Sequence, residues 1–185
     1  IDEKEMVEYA EDFFLSIGFE PLPSTFWERS LLVKPRDRSV VCHASAWNLD
    51  PANNDLRIKM CIEKNEEDFV TIHHELGHIF YYQAYNHLPT LFQGGANDGF
   101  HEAFGDLLTL SITPDYLSKI DFISEDEAKI AKEDSIGLLM KQALEGVVVI
   151  PWALMLDKWR SGVFDGDIDE SNLNEAWWDM RKSYQ

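Results

Sequence analysis

His73-His74-Glu75-Leu76-Gly77-His78 is the stretch on which the reading of this chain turns. It carries His-Glu-x-x-His from His74 to His78, set among Phe69, Ile72, Leu76, Ile79 and Phe80. Those apolar residues recur at helical spacing, which predicts a helix from about Asp68 to Asn86. Asn65 reads as its N-cap, with Glu66, Glu67 and Asp68 in the acidic first turn, and Pro89 ends the run. Residues four apart share a helix face, so the imidazoles of His74 and His78 converge on one point. Glu75 is one residue round, beside that point, where a carboxylate can take a proton from a metal-bound water.

A catalytic zinc takes three protein ligands and leaves a fourth position for water. Glu102, within His101-Glu102-Ala103-Phe104-Gly105-Asp106, is the natural third ligand after His74 and His78. It lies on a second helix holding Phe100 to Ser111, which the glycine-rich turn Gln93–Gly99 can fold back. Asp106, four residues on, can hydrogen-bond a ligating histidine and fix its tautomer. The set is the arrangement of a zinc peptidase, with Glu75 as base toward the attacking zinc-bound water and then acid toward the leaving amine. A pair of capped core histidines is the blander reading of His-Glu-x-x-His alone; Glu102 and Asp106 on a helix of their own weigh against it. His73 and His101 are rotated off the liganding face and read as structural or cleft-lining, and His87 as a surface residue at the helix end.

Outward from this core, Met6, Tyr9, Ala10, Phe13 and Phe14 mark a helix to Ile17, with Gly18 at its C′ position. Phe19 to Pro35, with three prolines, reads as an irregular connection. Ser39–His43 and Arg57–Ile62 read as short strands joined by the turn-rich Asn48–Asp55, that is, a hairpin. It would bring Cys42 and Cys61 close, leaving a disulfide or two buried thiols open. Ser124 and Glu127 form a capping box for a third long helix through Ile130, Leu138 and Leu139, which Pro151 is expected to kink or break. Ser171 is expected to cap a last helix carrying Trp177 and Trp178, still running at Gln185. The fold class is therefore mainly α, a helical core with one small β-hairpin, in one unit.

The 185 residues are 45% hydrophobic and 12% aromatic, enough for one packed domain. A net charge of −18 repels a phosphate backbone and excludes nucleic acid as a partner. The longest apolar run, Val147–Leu156, is short, holds Pro151 and is bounded by Glu145 and Asp157, so no membrane span is expected. Asp165-Gly166-Asp167-Ile168-Asp169 starts like a calcium loop, but Glu170 and Ala176 stand where glycine and glutamate are needed. No signal peptide is present, and a chain that starts at Ile1 and ends in mid-helix reads as a piece of something longer.

His73–His78, Gly95–Ala103 and Val41-Cys42-His43-Ala44-Ser45-Ala46-Trp47 together resemble the angiotensin-converting enzyme family of peptidyl-dipeptidases. Pro23–Glu28, Arg57–Cys61 and Val163–Gly166 fit as well, and Leu76 and Asp98 are closer in motif style to the bacterial members. The resemblance runs from about Phe13 to the C-terminus. It implies a zinc enzyme that releases C-terminal dipeptides from oligopeptides, with His74, His78 and Glu102 as ligands and Glu75 as base. It also implies that His43 and Ala44 meet the substrate main chain, that Glu67 and Asp68 lie near the pockets beyond the scissile bond, and that Cys42 and Cys61 form a disulfide. A disulfide implies an oxidising compartment, secreted or extracytoplasmic, and periplasmic if the source is bacterial. The family's carboxylate-binding and oxyanion-stabilising groups correspond mainly to positions outside this chain, which implies a partial catalytic domain whose partners include its own missing segments and whose isolated activity is weak or nil. Trp159-Arg160-Ser161-Gly162 departs from the family's chloride-site pattern, so chloride is not carried over. The alternative is a catalytically silent member serving as a peptide-binding or receptor module; a zinc aminopeptidase or endopeptidase of similar motif is a third reading.

Overall fold

Capping decides where the helices of this chain begin. In the computed structural model, which describes residues 1–133 and 135–184, Asp2 and Glu5 form a reciprocal capping box that opens α1, Glu3–Ser16. Gly18, at φ +98°, ends it as expected. Helix α2, Ser24–Arg29, starts directly after Pro23, so the proline-bearing connection is not wholly irregular. Its Phe26 is fully buried, and that burial stabilises a turn too short to hold by propensity.

The first expected strand is displaced. Strand β1 is Ser45–Asp50 and β2 is Asp55–Lys59, antiparallel, with Ser45 opposite Lys59. Ser39–His43 is not a strand, so His43 and Ala44 lie just before β1 rather than on it. The misreading has a physical source. Asn48, taken for a turn former, donates from Nδ2 to Asn86 Oδ1 at 2.9 Å, and that tertiary bond holds it extended. The turn itself is Pro51–Asn54, with the Asp50 carboxylate accepting from the Asn53 amide and Asn54 left-handed at φ 52°. Leu31 bridges the other edge of β2, so among the described residues β1 is paired on one edge only.

Helix α3, Glu66–Asn86, opens on Asn65 as expected and is the spine of the first compact unit, Ile1–Ile120. Its buried face, Phe69, Ile72, Leu76, Ile79 and Phe80, meets α1, where Phe14 stacks on Phe80 at 4.3 Å between ring centroids. Burying each such side chain contributes roughly 1.5–3 kcal/mol. Helix α4, Asp98–Thr109, crosses α3 where Gly77 faces Gly105: a Cβ on Gly77 would stand 2.9 Å from the Gly105 Cα. Helix α5, Pro114–Lys119, follows at once, because Pro114 serves as the first residue of a helix capped by Thr113.

The second unit, Asp121–Gln185, holds α6, Glu125–Glu133, α7, Ser135–Asp165, and α8, Leu173–Tyr184. The Ser124–Glu127 capping box is present. Residue 134, between α6 and α7, lies outside the described residues, so the expectation of one helix from Ser124 is not decided there, and α7 continues through Pro151 rather than ending there. Proline removes one amide donor, and the surrounding helix tolerates that loss. Ser171 does not cap α8; its amide and hydroxyl both go to Asp169. Gln185 lies outside the described residues. The expectation of no membrane-length helix also needs correction, because Ile136–Asp165 is long and apolar enough to cross a membrane by length and composition. Counting only uninterrupted apolar residues had broken it at Pro151 and its flanking acids. With eight α-helices and one hairpin among the described residues, the fold is mainly α.

Candidate metal centre

The face of α3 that carries His74 and His78 turns toward α4, which carries Glu102. The His74 and His78 Nε2 atoms are 3.1 Å apart. One Glu102 oxygen lies 3.2 Å from His74 Nε2 and the other 3.7 Å from His78 Nε2. A tetrahedral zinc with bonds of about 2.0–2.1 Å has ligand–ligand edges of about 3.3–3.4 Å, and these three separations bracket that value. Among the described residues these three form the one histidine and carboxylate group close enough to hold a metal ion. The donor set, two imidazoles and a carboxylate, suits zinc and leaves a coordination position open.

Asp106, one turn beyond Glu102, places a carboxylate oxygen 3.0 Å from His74 Nδ1. A carboxylate there favours a His74 proton on Nδ1, the tautomer that leaves Nε2 free. The geometry depends on Gly105, where a Cβ would stand 2.8 Å from His74 Nδ1. Burial lowers the pKa of His78, which favours the neutral, ligating form.

Glu75 is 6% exposed, and its Oε2 is buried with no hydrogen-bond partner. Burial raises its pKa, with His74 opposing and Glu102 reinforcing the rise. A buried carboxylate oxygen without a donor costs stability, so its place beside the three donors points to work rather than packing.

Glu75, His74 and Glu102 open onto a cleft of about 650 Å³ lined also by His43, Ala44, Glu67 and Asp68. His43 is exposed, its Nδ1 2.7 Å from the Ala44 carbonyl. Asp68 Oδ2 accepts from the Glu63 amide, tying the start of α3 to the segment between β2 and α3. Cys42 and Cys61 are disulfide-bonded, Cα to Cα 5.1 Å, on the cleft wall. The disulfide and a bond from Lys59 Nζ to the Val41 carbonyl hold the segment before β1 in place without strand pairing.

His73 is fully buried among Phe13, Phe69 and Tyr116, donates from Nδ1 to the Phe69 carbonyl, and is pushed down to about pKa 4 by burial. It is structural. His101 does not line this cleft but faces His78, its Nδ1 3.2 Å from His78 Nδ1. Its spacing from His78 gave no signal, since the contact crosses between two helices.

A family model described as angiotensin-converting enzyme matches residues 1–185, the whole chain. Angiotensin-converting enzyme of Bos taurus is 48% identical over 182 residues, covering 97% of this chain and 14% of that protein. That of Oryctolagus cuniculus is 47% identical over 184 residues, 98% of this chain and 14% of its own length. Angiotensin-converting enzyme-related protein of Drosophila melanogaster is 41% identical over 182 residues, 98% of this chain and 28% of that protein. This chain thus spans well under a third of these relatives. With a match that runs from its first residue to its last, the chain belongs to the angiotensin-converting enzyme family.

Proposed function

We propose that this chain is the zinc-holding part of a peptidase catalytic domain, in a protein that removes C-terminal dipeptides from oligopeptides. The observation that carries the reading is the three-donor set at tetrahedral spacing beside the buried, unpartnered Glu75 oxygen. His74, His78 and Glu102 would hold one zinc ion, and Asp106 would orient His74. When bound, zinc supplies a Lewis acid that polarises a peptide carbonyl and lowers the pKa of water toward neutrality.

The chain's own residues supply the rest. Glu75, kept from bulk solvent, takes the proton of the attacking water and delivers it to the leaving amine nitrogen. His43 and the Ala44 backbone lie at the head of β1, whose outer edge has the unpaired groups that an extended peptide can use. Glu67 and Asp68, across the cleft, meet the departing dipeptide side. The disulfide fits an oxidising, extracytoplasmic setting.

The test is metal analysis of the purified protein and of Glu75→Gln, with a blocked tripeptide as substrate. Glu75→Gln is expected to keep stoichiometric zinc and lose hydrolysis. A variant that still turns over substrate removes Glu75 from its role. Zinc binding without hydrolysis, in a protein restored to its relatives' length, favours a silent peptide-binding module.

A further inference from the structure

We infer that His101, held by Tyr85, is the positioning residue for His78, doing for the second histidine what Asp106 does for the first; this rests on the zinc reading above. The contacts form a chain. His78 Nδ1 lies 3.2 Å from His101 Nδ1, and His101 Nε2 lies 2.9 Å from the Tyr85 hydroxyl oxygen. Tyr81, Tyr82 and Tyr85 follow His78 by three, four and seven residues, so all lie on its stripe of α3. The His101 ring from α4 sits among theirs, 4.5 Å from the Tyr81 centroid and 4.8 Å from that of Tyr82. Gly95 closes the cage, since a Cβ there would stand 3.1 Å from His101 Cδ2. A ring held on three sides has little freedom beyond presenting its two nitrogens.

Proton positions follow from those contacts. With His78 Nε2 given to a metal, the neutral ring carries its proton on Nδ1 and donates it to His101 Nδ1. His101 then carries its own proton on Nε2 and donates it to the Tyr85 oxygen. In the reverse arrangement Tyr85 O–H donates to His101 Nε2, His101 Nδ1–H donates to His78 Nδ1, and the His78 proton sits on Nε2, where it blocks a ligand. The Tyr85 hydroxyl, which rotates to donate or accept, lets the pair settle in the first arrangement. Tyr85 is buried, 8% exposed, and burial pushes its pKa up to about 12, so it stays a neutral hydroxyl. Partners of this kind fix the ring and tautomer of a ligating histidine.

Two substitutions separate this role from packing. His101→Phe keeps a ring in the tyrosine cage but removes both nitrogens. His101→Asn puts an oxygen near the Nδ1 position but fills the cage poorly. Zinc affinity is measured on the purified protein by competition with a chromogenic chelator, with unfolding midpoints of the zinc-free proteins recorded alongside. The expected order is wild type, then Asn, then Phe, with Phe weaker than wild type on the order of 10–100-fold. The zinc-free midpoints should run the other way, Phe above Asn. Tyr85→Phe is expected to weaken zinc binding by a smaller factor, and should His101→Phe not fold, it decides the matter. A Phe variant with wild-type affinity, or an affinity order that tracks packing, overturns the inference while leaving the zinc reading intact. Failure of the wild-type protein to take up zinc overturns both.

Discussion

Helices α3 and α4 meet at two glycines, and replacing each by alanine should give different defects. The three atoms nearest a Cβ on Gly105 all belong to the His74 ring, at 2.8–3.1 Å. Ordinary carbon contacts lie near 3.5–4.0 Å, so the ring must retreat by roughly 0.6 Å or more. A metal ligand tolerates only about ±0.2 Å. The fold itself is barely troubled, because a side chain can yield. Alanine gains about 1 kcal/mol of helix propensity over glycine, against overpacking at the low end of about 1–3 kcal/mol. Gly105→Ala should therefore leave zinc-free stability within about 1 kcal/mol of wild type while zinc affinity falls tenfold or more.

A Cβ on Gly77 instead meets the Gly105 Cα at 2.9 Å, a backbone atom that cannot rotate aside. The helices must separate, so Gly77→Ala should lose about 2 kcal/mol of zinc-free stability, and zinc affinity with it. Gly146→Ala, with nothing within 4 Å, is the propensity control. Urea unfolding in the presence of a chelator, paired with zinc competition, reads both quantities. Wild-type zinc affinity in Gly105→Ala would refute the claim that α4 backbone sets the His74 ring.

Three other outcomes are expected. Replacing Cys42 and Cys61 by serine opens a loop of sequence separation 19, for a loss of about 3 kcal/mol in urea unfolding. Zinc affinity should persist while peptide hydrolysis suffers through KM, and an unchanged KM would detach the disulfide from the cleft wall. Glu102→Ala should sharply lower zinc content by metal analysis, and an unchanged content would remove it from the ligand set. Asp55 is held at a pKa of about 2, first by Arg57 and then by Arg29, below its ordinary 3.8. Its stabilisation is thus present above about pH 4 and lost as pH falls toward 2. Urea midpoints should decline across that window and decline less in Asp55→Asn; parallel declines would count against the cluster.

Much of the centre could be read from spacing because its parts are local. His74 and His78 share a face through helix geometry alone, and Asn65, Ser124 and Gly18 announce helix ends through their own backbone chemistry. The errors fall where tertiary contacts override local preference. Asn48 is extended because Asn86 on α3 holds its amide, and Phe26 sustains a six-residue helix after Pro23 because it is buried. Ser171 lost its expected place because Asp169 takes its amide and hydroxyl. Pro151 did not end α7, since one missing donor is a local loss that a long helix absorbs.

The sequence by itself determined a helical His-Glu-x-x-His segment, a second helix with Glu102 and Asp106, and a mainly α fold, all consequences of residue periodicity and capping. Only the tertiary structure decided how closely those helices approach and which atoms then meet. Two glycines let α4 lie against α3, so that Asp106 reaches His74 and His101 reaches His78. Periodicity reports which side of a helix a residue occupies; it carries no information on the distance or angle at which a second helix crosses it.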